Sequence, residues 1–276
     1  MTQTAVQDLS SELDQFYTDP AYAKHFLSVI GNTVNLDQYD SLLEPSAGTG
    51  SFYNIMDASK RIGLDLDPKA DGIIKTDFFE WVAPHRNIAT IGNPPFGKNA
   101  SLAVKFFNHA ARFSNVIAFI IPRTFRKASV INRLDKNFHL VYDETVPEAS
   151  FIFKNKPYDV WCCAQIWIRK DEKRKEIPTL KFDAVSKWFE KVSPADSDFS
   201  VQRVGGKAGT IRTEDFKHFS AQSHYYFKAH DTRVLDVFRN IDFDTVKFNT
   251  AGNPSVSPSE LIEMWLEQAK KLGLPV

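Results

Sequence analysis

Apolar residues recur every three or four positions through Val6, Leu9, Leu13 and Phe16, the spacing of a short amphipathic helix over residues 5–16. A turn follows at Thr18-Asp19-Pro20, where Asp19 is a helix cap and Pro20 opens a second helix over residues 21–30. The period then changes. Short apolar runs at Ser41-Leu42-Leu43, Arg61-Ile62-Gly63-Leu64, Gly72-Ile73-Ile74-Lys75 and Ile88-Ala89-Thr90-Ile91 each end in polar or Gly- and Pro-bearing residues, and predict four strands. Residues 101–113 predict a helix. Residues 116–121 form an unbroken apolar run, typical of a central parallel strand buried on both faces. Residues 139–142 and 158–168 flank a polar connection and predict an antiparallel pair at the end of an otherwise parallel sheet. Strand and helix alternate throughout, so the fold class is α/β.

A charged run, Arg169-Lys170-Asp171-Glu172-Lys173-Arg174-Lys175-Glu176, interrupts this pattern and divides the chain into a first domain, 1–175, and a C-terminal region, 176–276. That region predicts a helix over 184–192, a hairpin from Phe199 through the glycines at 205, 206 and 209 to Arg212, and a closing helix over 258–272 opened by Ser257 or Ser259 and Glu260. Arg203, Lys207 and Arg212 beside Tyr225, Tyr226 and Phe227 allow two readings: a basic-aromatic surface for single-stranded nucleic acid, or the aromatic core of a small domain.

With 276 residues, 43% of them hydrophobic, the chain can bury a large core. Its 34 basic and 34 acidic residues balance, so a polyanionic partner must be met by a local patch. Cys162 and Cys163 are adjacent in an apolar run, which suits buried reduced thiols better than a disulfide or a metal site. There is no run of about twenty apolar residues and no charged-then-apolar leader, and the expectation is a soluble cytoplasmic protein.

The candidate chemistry lies at the carboxyl ends of the strands, where open parallel sheets bind ligands. The first strand enters Glu44-Pro45-Ser46-Ala47-Gly48-Thr49-Gly50, whose glycines permit a tight turn. The turn lacks a phosphate-binding Lys, and Glu44 would repel pyrophosphate but favour a cationic or amine-bearing ligand. Asp65 ends the second strand, about twenty residues on, where a carboxylate can hold both hydroxyls of a ribose. Asp77 and Phe78 follow the third and can accept from and stack on an adenine. The fourth delivers Asn93-Pro94-Pro95-Phe96: an amide oxygen and a prolyl carbonyl to accept both hydrogens of an exocyclic amine, with an aromatic ring to stack on the heterocycle.

Taken in order over roughly residues 12–170, these features resemble the class I S-adenosylmethionine-dependent methyltransferases, specifically the amino-methylating group with an Asn/Asp-Pro-Pro-aromatic motif. The resemblance implies a Rossmann-like seven-stranded mixed sheet with a small C-terminal α+β region, and S-adenosyl-L-methionine as cofactor. It assigns cofactor contacts to Tyr17, Thr18, Glu44, Ser46, Gly48, Gly50, Asp65, Leu66, Asp77, Phe78 and Asn93, and amine binding and catalysis to Asn93, Pro94, Pro95 and Phe96. The segment that closes over the cofactor in that family, here Phe16-Tyr17-Thr18-Asp19-Pro20, precedes the glycine turn and the extra sequence lies at the carboxyl end, which is similar to the γ arrangement of adenine-N6 DNA methyltransferases. A flipped or single-stranded adenine would be methylated by in-line attack, with no metal and no strong base.

A basic stretch fits a nucleic-acid partner, DNA ahead of RNA. Between Phe96 and Phe138 it contains Lys98, Lys105, Arg112, Arg123, Arg126, Lys127, Arg133 and Lys136 against Asp135 alone, and of these Lys98, Arg123, Arg126 and Lys127 are expected on phosphates near the catalytic motif. Three alternatives stay open: an RNA substrate, a protein glutamine amide, and a catalytically silent nucleic-acid-binding subunit.

Overall fold

The chain enters the described region, residues 16–276 of the computed structural model, through β1 (Tyr17–Thr18) and α1 (Pro20–Thr33). The helix expected over residues 5–16 lies outside the described residues. Asp19 Oδ1 accepts from the main-chain N–H groups of Ala21 at 2.9 Å and Tyr22 at 3.3 Å, two of the donors that a helix start leaves unpaired. Pro20, with no N–H, stands where none is needed. The buried stripe is Tyr22, Ala23, Phe26 and Ile30, which packs on one face of the central sheet. At about 2 kcal/mol for each fully buried large apolar side chain, that stripe outweighs the cap in holding the helix to the sheet.

The sheet contains β2 (Ser41–Glu44), β3 (Arg61–Asp65), β4 (Ile74–Lys75), β5 (Ile88–Gly92), β6 (Ser114–Pro122) and β7 (Phe138–Thr145). A seventh strand, which becomes β10 (Cys162–Arg169) once the hairpin before it is counted, completes it in the order β4-β3-β2-β5-β6-β10-β7. β10 lies antiparallel between β6 and β7 while the neighbours from β4 through β6 pair parallel. This is the Rossmann-like mixed seven-stranded sheet that the sequence led us to expect. Along β6, Val116, Ala118 and Ile120 face the α1 side, and Ile117, Phe119 and Ile121 face the other. There α2 (Ser101–Ala110) buries Ala103, Val104, Phe106, Phe107 and Ala110. The strand order reverses between β2 and β5, so the loops after these two strands diverge and leave a crevice.

Two elements of this unit differ from the sequence expectation. The strand expected over 158–168 begins only at Cys162, and Tyr158 belongs instead to a hairpin of β8 (Phe151–Phe153) and β9 (Lys156–Tyr158). Lys154 and Asn155 form its turn with φ of 49° and 61°, the left-handed conformations of a two-residue hairpin turn that matches strand twist. β1 adds to this hairpin in the order β1-β8-β9. A two-residue strand has too little sequence to show a period. The helix expected over 101–113 stops at Ala110, and a short helix, α3 (Ala128–Ile131), follows β6. Cys162 and Cys163 are buried and unpaired.

The chain divides into two compact units, Met1–Glu176 and Ile177–Val276. The second holds β11 (Phe189–Lys191), β12 (Phe199–Gln202), β13 (Ile211–Arg212) and β14 (His224–Ala229) in the order β11-β14-β12-β13, then α4 (Val234–Arg239), α5 (Asp244–Lys247) and α6 (Pro258–Lys271). The expected hairpin forms, with Ser200 opposite Arg212. The helix expected over 184–192 does not. Val185 ends a short 3-10 turn, Trp188 lies in the turn after it, and Phe189 opens strand β11, which finds its hydrogen bonds on β14. Tyr225, Tyr226 and Phe227 are at most 4% exposed, which settles the two readings of that group in favour of a core. Ser257 and Glu260 form a reciprocal capping box at the start of α6.

Candidate active site

Two adjoining clefts open at the carboxyl ends of β2, β3, β4 and β5. The larger, about 370 Å³, is bordered by Tyr17, Ser46, Gly48, Asp65, Leu66, Asp77, Phe78 and Asn93, so eight of the residues expected to hold a cofactor converge on it. Thr18, Glu44 and Gly50 stand behind its wall. Phe16, from the segment expected to close over the cofactor, also lines it, as do Phe79, Leu102 and Phe106, which were not singled out from sequence. The doublet Phe78-Phe79 was the available signal for Phe79, but only the fold shows which ring turns outward.

The glycine turn is organised from below and from the side. Asp65 Oδ2 accepts from the Gly48 N–H at 2.7 Å and Oδ1 from the Asp67 N–H at 2.8 Å, so one carboxylate ties the end of β3 to the turn after β2. Gly48 has φ of 48°, and a Cβ there would lie 2.7 Å from the Tyr17 ring. Absence of a side chain is therefore what lets the β1 segment lie on the turn. Glu44 is 3% exposed and accepts from the Tyr53 N–H at 2.6 Å, closing the turn rather than facing the cleft. Burial holds its carboxyl well above the usual range; main-chain donors from Tyr53 and Phe52 oppose the shift, and the Asp65 charge adds to it.

Charge in the larger cleft has one dominant sign. Asp65, Asp67 and Asp77 border it against Lys69 alone, and Lys69 is paired with Asp67. Such a rim repels phosphates and favours a cationic ligand. Asp77 Oδ1 accepts from Phe79 N at 2.8 Å, which leaves its second oxygen for a ligand. Phe78 is 2% exposed and stacks on Phe106 at 5.0 Å, with His109 edge-on at 4.7 Å. The ring expected to stack on an adenine is thus mainly a core side chain that supports the wall, whereas Phe79 is 38% exposed.

The smaller cleft, about 20 Å³, is lined by Phe16, Asn93, Pro94, Pro95 and Phe96. Asn93 Nδ2 donates to the Phe16 carbonyl at 3.0 Å, and the Asn93 carbonyl accepts from Ser46 Oγ at 3.1 Å. Asn93 Oδ1 is buried with no hydrogen-bond partner among the described residues. An unsatisfied buried acceptor costs about 1–3 kcal/mol, so it is a strong pointer to a donor that this site is built to receive. Phe96 is partly buried and its carbonyl accepts from Leu102 N and Ala103 N, which anchors the motif to the start of α2.

The basic residues divide. Lys98 is exposed beside the motif. Arg126, expected on a phosphate, is instead paired with Asp143 and donates to Thr145 Oγ1 at 3.1 Å, which ties the turn after β6 to β7. Arg123 Nε donates to the Cys162 carbonyl at 3.3 Å and its guanidinium lies over the Trp161 ring. Lys127 follows in the same turn and opens α3. These contacts were invisible in sequence because Asp143 and Cys162 are 17 and 39 residues away from their partners.

Among the described residues no group of acidic, His and Cys side chains could hold a metal ion, and no helix is long and apolar enough to cross a membrane. No family model and no curated protein matches the chain. Among solved structures it is similar to a candidate RNA methyltransferase from Pyrococcus horikoshii, with 19% identity and a TM-score of 0.44 over 57% of this chain and 87% of that one. It is also similar to a candidate class I S-adenosylmethionine-dependent methyltransferase from Listeria monocytogenes, with 14% identity and a TM-score of 0.45 over 58% and 62% of the two chains. The 23S rRNA methyltransferase ErmE matches with 15% identity and a TM-score of 0.41 over 94% of this chain and 99% of that one. None of these likenesses assigns a substrate to this chain.

Proposed function

We propose that this chain transfers a methyl group from S-adenosyl-L-methionine to the N6 amine of adenine in DNA. The observation that carries this reading is Asn93: its Oδ1 is buried without a partner, beside Pro94, at the junction of the two clefts. An acceptor of this kind fits an exocyclic amine, which brings two donors for the amide oxygen and the Pro94 carbonyl. Accepting from both N–H groups localises the nitrogen lone pair for attack.

The larger cleft fits the cofactor by charge and shape. Its acidic rim suits a ligand with a sulfonium and an ammonium group, and its volume suits a nucleoside-sized molecule. Asp65 would hold the ribose hydroxyls, Asp77 the adenine amine, and Ser46 and Gly48 the methionine part; Tyr17 would close the site from the β1 side, with Thr18 buried behind it. When bound, the cofactor supplies an electrophilic methyl group. The protein positions the amine in line with it, excludes water and polarises the N–H bonds, with the proton free to leave after transfer. Phe96 would offer its ring to the target base. Lys98 and Lys127 would meet phosphates near the motif, with Arg123 beside them, and the second unit, Ile177–Val276, would contribute to substrate recognition.

Tritiated methyl transfer to duplex DNA, single-stranded DNA, RNA and total protein, followed by nucleoside mass spectrometry, tests this reading. Label recovered as N6-methyladenine from DNA is expected. Label confined to RNA would move the substrate, and label confined to protein would overturn the nucleic-acid reading.

A further inference from the structure

Three polar atoms of Asn93 are treated differently by the fold. Its main-chain carbonyl is held by Ser46, its side-chain Nδ2 by the Phe16 carbonyl, and Oδ1 is left open. The two ends of a carboxamide have nearly the same shape, so packing alone cannot decide which faces a ligand. The Phe16 carbonyl can. The opposite flip would bring Oδ1 against another acceptor and present an N–H donor to the cleft, where an amine could not use it.

The segment that bears this carbonyl is held in place by its neighbours. β1 pairs with β8 with Tyr17 opposite Ile152 and Thr18 opposite Phe151. Asp19 N donates to Ser150 O at 2.9 Å, and the same two-residue rhythm makes Tyr17 and Ile152 a hydrogen-bonded pair. Ser51 Oγ donates to Thr18 O at 2.8 Å, and the Phe16 ring stacks on Tyr158 with centroids 5.0 Å apart.

We propose that the Phe16 main-chain carbonyl is a positioning and specificity-determining group: it sets the flip of the Asn93 amide so that only acceptors face the target, and it requires a neutral side chain with an N–H or O–H donor at position 93. The inference rests on the amine-methylating reading above. It has two consequences. A base with a keto oxygen at the target position, such as hypoxanthine in place of adenine, meets two acceptors and is rejected. An aspartate at position 93 places a carboxylate against the Phe16 carbonyl. Once protonated, the same side chain donates to Phe16 and keeps an acceptor for the amine.

The test is the pH profile of methyl transfer by Asn93→Asp on an oligonucleotide containing adenine, with cofactor affinity measured calorimetrically in parallel. The variant should be at least about tenfold slower than wild type near pH 8 and should regain rate as pH falls toward about 5, while cofactor affinity stays near the wild-type value. A rate within about threefold of wild type near pH 8, or a loss that acid does not restore in protein that still binds cofactor, overturns the proposal. Should Asn93→Asp fail to fold, Ile152→Pro removes a ladder bond to β1 from outside the site. Its kcat at saturating cofactor should fall, and an unchanged kcat overturns the proposal. A wild-type protein that methylates no adenine overturns the functional reading, whereas wild-type activity beside an equally active Asn93→Asp overturns only this inference.

Discussion

Asp65 and Asn93 border the same cleft, yet their bonds predict opposite defects. Asp65→Ala removes the acceptor for Gly48 N at 2.7 Å and for Asp67 N at 2.8 Å, and with it the carboxylate expected to hold two ribose hydroxyls. Hydrogen bonds to a charged group contribute about 1.5–3 kcal/mol each. Because the same oxygens already serve two main-chain donors, the lower end applies to the two hydroxyls. Their joint loss of about 3 kcal/mol is more than about a hundredfold in Kd. Asn93→Ala removes no bond to the glycine turn, since the Ser46 contact is to the Asn93 main chain. Cofactor affinity should then stay within a few-fold, while methyl transfer falls by about a hundredfold or more through loss of the acceptor that polarises the amine. Isothermal titration with S-adenosylhomocysteine gives the first quantity and single-turnover transfer the second. Equal loss of affinity in both variants, or an Asp65→Ala protein that binds within threefold of wild type, would refute this division of roles.

Three further outcomes follow from contacts already described. Arg126→Ala should lower stability by about 1 kcal/mol, or about 2–4 °C in Tm, because the Asp143 pair is about a quarter exposed and Asp143 keeps its bond from Gln165. Nucleic-acid affinity should hardly change; a selective loss of affinity at constant Tm would instead place Arg126 on a phosphate. Gly97 has φ of 65° and ψ of 173°, and a Cβ there would lie 2.7 Å from Leu102 Cβ, so Gly97→Ala should cost about 1–3 kcal/mol and slow transfer, and a thermal melt at wild-type temperature would contradict the strain. Burial raises the Glu44 carboxyl above its unfolded value, so folding is favoured most below the unfolded pKa of about 4.3 and stability declines as pH rises through the folded value. Glu44→Gln keeps an acceptor for Tyr53 and should flatten that decline; superimposable denaturation curves against pH for the two proteins would remove Glu44 as its source.

Periodicity carried the central sheet because each of its strands meets both local and global demands. β6 is apolar at nearly every position since both of its faces are covered, and Gly- and Pro-bearing residues stop the strands at the edge of the cleft. The Asn93-Pro94-Pro95-Phe96 motif, the glycine turn and the acidic strand ends were likewise legible, because their chemistry lies in residue type and short spacing. Local pattern was silent wherever a residue's role depends on a distant partner. Phe78 reads as a stacking ring but is drawn into the core by Phe106 and His109, and Arg126 reads as a phosphate contact but is claimed by Asp143. The helical stripe over 184–192 yields to β11, which pairs with β14: Phe189 lies opposite Ala229 and Lys191 opposite Phe227, far beyond the reach of local sequence. Tertiary structure alone decided that β1 joins the β8–β9 hairpin and thereby sets the Phe16 carbonyl on Asn93. Sequence supplied the amide; the direction in which its oxygen points is fixed by a backbone group 77 residues away, which no local propensity encodes.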